Sequence, residues 1–104
     1  MSNMAQRELL ERGVRRAALL WAGKQTANYQ QLYVATGLTE AQAHQRALTL
    51  TDQTAIIMAH KFTEAADRDA WALSRMHGME MDEAHALLLR HAINVLKRGS
   101  TDGQ

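Results

Sequence analysis

The side chains best suited to chemistry in this sequence are five histidines, His44, His60, His77, His85 and His91, and three methionines, Met76, Met79 and Met81. Imidazoles and carboxylates at helical spacing hold di-iron centres, and thioethers beside an imidazole such as His77 select Cu(I). The spacing here meets neither requirement. His85 and His91 are six residues apart and fall on different helix faces, while Asp82 stands i,i+3 to His85 and is its expected partner. A di-iron bundle takes Glu-x-x-His from two helices, and Ala41 stands where a second copy of that pattern needs a carboxylate. The histidines therefore read as helix-surface or partly buried groups, and the methionines as gap-fillers at a helical joint. Ser74 and Ser100 sit in no nucleophile elbow, no glycine-rich phosphate loop is present, and no two carboxylates are marked out for acid and base work. The expectation is a non-enzymatic protein with no catalytic residue, metal or cofactor. A small helical enzyme or metal-binding bundle is the third reading.

What must position these groups is a helical scaffold. With 104 residues there is material for one core. The chain has no proline and only five aromatic residues (one Phe, two Tyr, two Trp), so its core falls to Ala, Leu, Met and Ile, a largely helix-forming palette. Twelve basic against eleven acidic residues leave +1, too little for a global field that draws in nucleic acid or an acidic membrane. Absence of cysteine removes disulfides, thiol nucleophiles and cysteine-ligated metals and suits a reducing compartment. The opening MSNMAQRELLER has no apolar signal core, and no run approaches the ~20 apolar residues of a membrane span. A cytoplasmic protein that does not enter membranes is expected.

The first helix is expected over 2–23, capped by Ser2 or Asn3 and stopped at Gly23. Leu10, Val14, Ala17 and Trp21 form its stripe, with Leu9, Ala18 and Leu20 beside it; Glu8 with Arg12 and Glu11 with Arg15 pair on the other face. A short second helix follows, capped by Thr26, with Tyr29, Leu32 and Tyr33 inward and Gly37 at its end. Thr39 and Gln42 make a capping box for a third helix over 40–61, whose stripe of Ala43, Ala47, Leu50, Thr54 and Ile57 bends or breaks near Thr51. Thr63 is expected to cap a fourth over 64–77, with Ala66, Ala70 and Leu73 inward and Gly78 as its stop. The last helix starts at Met81, with Met81, Ala84, Leu88, Ala92 and Val95 facing the core; 99–104 is expected to be a disordered polar tail and 1–98 the single domain. The fold class is all-α, a compact bundle of four or five helices.

A shift of 41 residues sets Leu32 on Leu73, Gly37 on Gly78, Ala43 on Ala84, His44 on His85 and Leu48 on Leu89. Two hairpins with the same stop-and-start grammar produce this pattern, as does a duplicated hairpin; two copies fall short of a solenoid.

Apolar residues nearly encircle the last helix, and Leu89, Ile93 and Leu96, with Leu9, Leu20 and Trp21 of the first, are the candidate interface for a protein partner, with a homo-oligomer expected. Basic faces at Arg12, Arg15 and Arg16 and at Arg90, Lys97 and Arg98 are the candidates for a nucleic-acid-binding alternative. Residues 73–94, LSRMHGMEMDEAHALLLRHAIN, carry Gly78, Glu83, Ala84, Leu87, Leu88, Arg90 and Ala92 in a pattern that resembles the helical hairpin of ANTAR domains. Asp69, Ala70 and Trp71 replace that family's upstream Ala-Lys-Gly, and His85 stands where an aromatic is usual. The resemblance implies RNA binding by an antitermination regulator.

Overall fold

With no proline to interrupt it, the run from Glu40 to His77 forms one helix of 38 residues, about 57 Å long at 1.5 Å per residue. The structure, a computed structural model, describes residues 2–101. These described residues form four helices: α1 (Ser2–Gly23), α2 (Thr26–Ala35), α3 (Glu40–His77) and α4 (Met81–Thr101). The two helices expected on either side of Thr63 are therefore one. Mid-helix threonines do not open α3, and three of them, Thr49, Thr51 and Thr63, have hydroxyl partners that leave the ladder closed. Thr49 donates to the Gln45 carbonyl at 3.2 Å and Thr63 to the Ala59 carbonyl at 3.1 Å, while the buried Thr51 meets Thr26 of α2 at 2.7 Å.

The ends of α3 follow the sequence grammar. The Gln42 amide donates to Thr39 Oγ1 at 3.2 Å and the Thr39 amide to Gln42 Oε1 at 3.1 Å, a reciprocal box whose hydroxyl contributes about 1 kcal/mol. Gly78, at φ 67°, supplies the left-handed residue that ends it. At α2 the expectation fails: Gln25 occupies the cap position without a side-chain bond, and Thr26 spends its hydroxyl on Thr51. The candidate caps Ser2 and Asn3 have side chains outside the described set.

α3 is the spine. α1 and α4 flank its C-terminal part and pack on each other, while α2 packs on its N-terminal part and has no comparable packing on α1 or α4. The bundle is compact in section and drawn out along α3, measuring 55 × 27 × 21 Å. Its radius of gyration is 16.9 Å, against about 13 Å for a globular domain of this length.

Ala43, Ala47, Thr51, Ala55 and Ala59 form the buried line of α3. A step of four residues overshoots a full turn by about 40°, so this line winds around the helix, from the side facing α2 to the side facing α1 and α4. The expected stripe through Ile57 is thereby corrected: Ile57 is 54% exposed. The main core joins Val14, Ala17, Ala18 and Ala22 of α1 to Ala55, Ala59 and Ala66 of α3 and Leu89, Ala92 and Leu96 of α4. Two helical glycines permit the close approach of α1 and α4. A Cβ at Gly13 would fall 2.8 Å from Ile93 Cδ1, and one at Gly99 would fall 2.9 Å from Trp21 Cδ1.

α4 is rotated from its expected setting. It buries Ala84, His85, Leu89, Ala92 and Leu96 and leaves Met81 and Val95 exposed, because it lies in the seam between α1 and α3 and turns its bulk toward both. Leu32 of α2, expected inward, is 65% exposed, since α2 has only α3 to pack on. The tail begins later than expected: Gly99 to Thr101 continue α4, and residues 102–104 lie outside the described set.

Candidate interaction surface

Three helices are tied by one polar cluster. His85 of α4 meets Asp67 of α3 through Nε2, and the Arg7 guanidinium of α1 reaches the same carboxylate oxygen at 2.8 Å and Glu11 at 3.0 Å. Asp67 of α3, a residue that no local spacing relates to His85, is thus its hydrogen-bond partner. Asp82 also has a partner. Glu11, expected on Arg15, is engaged by Arg7. His60 and Glu64 add an i,i+4 pair at 3.0 Å that their spacing already offered. Among the described residues no three His, Asp or Glu side chains converge as metal ligands. Asp67→Ala is expected to destabilise the fold by about 1–3 kcal/mol by leaving the buried imidazole without an acceptor. Urea denaturation of Asp67→Ala, His85→Ala and the double variant checks this: losses that simply add would show that the two groups do not work together.

Apolar side chains are distributed in an inverted way. Among the described residues, twelve of the fifteen buried hydrophobic ones are alanines, whereas Leu9, Leu20, Leu32, Ile56, Ile57, Trp71 and Met76 are all more than half exposed. Single exposed leucines are ordinary; a small-residue interior under a large-residue exterior is not. The accessible surface is 7320 Å², whereas a monomeric protein of 11.6 kDa typically exposes about 5,800 Å². The excess of about 1,500 Å² exceeds the ~800 Å² each partner gives up in a standard interface.

A groove of ≈ 570 Å³ lies between α1 and α3. Leu19, Ala55, Ile56 and Ala59 make it apolar, and Glu11, Arg15, Asp52, His60 and Thr63 surround it. Much of that rim is already satisfied within the chain, Glu11 by Arg7, His60 by Glu64 and Thr63 by backbone carbonyls. What it offers a ligand is mainly apolar contact, the chemistry of a groove that receives an amphipathic helix.

Of the six expected interface residues, Leu9 and Leu20 are exposed on α1. Trp21 is half-buried against the core and lies close to Gly99. Leu89 and Leu96 are 1% and 2% exposed and Ile93 packs on the core, so their expected outward facing is corrected: they serve the α1–α4 seam. Sequence reasoning missed Leu19 and Ile56. The signal was the four-residue alanine line of α3, which leaves Ile56 and Ile57 off the buried side. The basic candidates also divide. Arg12, Arg15 and Arg16 are exposed and make no ion pair among the described residues. Arg90 sits beside Glu80, Asp82 and Glu83, which cancel it as part of a basic patch, and Lys97 and Arg98, exposed on α4, each have partners.

The fold and this surface define an all-α helical bundle with an apolar groove between α1 and α3; among the described residues no helix is long and apolar enough to cross a membrane. Comparison with protein-family models, curated proteins and solved structures gives no match.

Proposed function

We propose that this is a small non-enzymatic interaction protein of the cytoplasm, which binds protein through its apolar helical surface and associates with itself. The observation that carries this reading is the inverted packing, alanine inside and leucine, isoleucine and tryptophan outside, with its excess of accessible surface. Burial at about 25 cal/mol per Å² makes such a surface costly to leave in water. Assembly couples to folding by mass action, so the thermal midpoint is expected to rise by about 5 °C or more over a hundredfold rise in protein concentration. A midpoint independent of concentration contradicts self-association.

A second reading rests on Arg12, Arg15 and Arg16, three guanidinium groups exposed on α1 without ion-pair partners among the described residues. Together with the ANTAR resemblance of residues 73–94 it supports an RNA- or DNA-binding regulator. Three phosphate contacts give a slope of about −2 to −3 in log affinity against log salt, measured by fluorescence anisotropy with mixed RNA and duplex DNA. Binding that is absent at low salt, or flat with salt, removes this reading.

A further inference from the structure

We infer that two copies of this chain associate through the arm formed by α2 and the N-terminal part of α3, the two arms closing face to face into a four-helix bundle. The inference rests on the self-association proposed above and names the surface and the partner.

The first observation is a missing layer. α1 ends at Gly23, and α4 has reached Gly99 where it meets Trp21 of α1. Beyond that level α2 and α3 are the remaining helices, and the main core stops at Ala55. The arm buries Ala43, Ala47 and Thr51 of α3 and no residue of α2. Two helices have a seam but no interior, since water reaches both sides of the contact.

The second observation is the 41-residue echo, which supplies an internal reference for what such a hairpin looks like when covered. In the hairpin of α3 and α4, which α1 covers, His85 and Leu89 are 7% and 1% exposed. In the arm, their counterparts His44 and Leu48 are both exposed, Leu48 at 42%. The anchoring geometry is otherwise shared. Ala43 and Ala84 are both fully buried, and each histidine bonds a side chain of the preceding helix, His44 to Gln30 at 3.1 Å and His85 to Asp67. The arm therefore presents the face that α1 covers in the second hairpin, without a helix upon it.

A second copy fits that face. The surface excess of about 1,500 Å² per chain is ample for the ~800 Å² that each subunit of a stable dimer contributes. Lys24, in the turn before α2, and Arg46 balance Glu40 and Asp52, so the arm carries no net charge to repel a second copy. A two-fold axis places the same patch on both sides, and two antiparallel hairpins packed this way enclose the interior that one hairpin lacks.

The test is sedimentation equilibrium on the full chain, with Leu32→Ser/Leu48→Ser in the arm and Leu19→Ser/Ile56→Ser in the α1–α3 groove. Wild type and the groove variant are expected to be dimers, and the arm variant to dissociate roughly 100-fold more readily, because each lost contact is lost twice. Circular dichroism should show both variants folded, since all four leucine and isoleucine side chains lie on the surface of the single chain. A separate readout uses the absence of cysteine: Leu48→Cys should oxidise to a covalent dimer, and Leu87→Cys, exposed on α4, should not. A wild-type dimer that survives the arm changes and gives no Leu48→Cys cross-link overturns this interface and leaves self-association standing. A wild-type monomer overturns both.

Discussion

Leu89→Ala is expected to lower the free energy of unfolding by about 3 kcal/mol. Leu89 is 1% exposed and, with Val14, is the largest fully buried side chain. The core around it is mostly alanine, with Val14 and Leu96 as its other larger buried members, and the cost of large-to-small changes grows with the cavity that remains. The matched control is Leu9→Ala on α1, where the side chain is 64% exposed and the change should stay within about 0.5 kcal/mol. Urea denaturation of both variants at fixed protein concentration separates them. Equal small losses would mean that α4 turns Leu89 outward.

Ala18→Leu is the complementary case, expected to cost about 1–3 kcal/mol although it adds apolar area. Ala18 is fully buried in α1 within the main core. The seams of this bundle are set by small residues, so three added carbon atoms must separate helices that now touch. The same substitution at a loosely packed site would be neutral or stabilising, so an unchanged urea midpoint would indicate that α1 does not lie close against its neighbours. Guanidinium or urea unfolding followed by circular dichroism gives the comparison directly.

Much of the fold was legible because local grammar decides it. The stop at Gly23, the Thr39–Gln42 box and the left-handed Gly78 each act within one helical turn, and each stands where the residues put it. The number of helices was harder, since Thr63 has equal chemistry as a cap and as a mid-helix residue bonding back to Ala59. The facing of α4 was legible in part: Ala84 and Ala92 are buried and Leu88 packs on the core as expected, whereas Met81 and Val95 are exposed. Leucines, isoleucine and valine surround it, and only the position of α1, admitted by Gly13 and Gly99, selects Leu89 and Leu96 over Met81 and Val95 as the inward side. The polar tie was hidden for the same reason, because Asp67 and His85 belong to different helices and no spacing relates them. On α3 the larger apolar residues drew the eye to a stripe ending at Ile57, while the alanines carried the true line.

The apolar exterior of this chain either meets a partner or remains in water, and the mass in solution distinguishes the two. Light scattering on the full chain from about 1 to 100 µM, a range in which a micromolar interface populates its complex, is the direct measurement. The expected result is a mass that rises with concentration toward twice the 11.6 kDa of one chain. A constant mass of 11.6 kDa up to the highest concentration would contradict it.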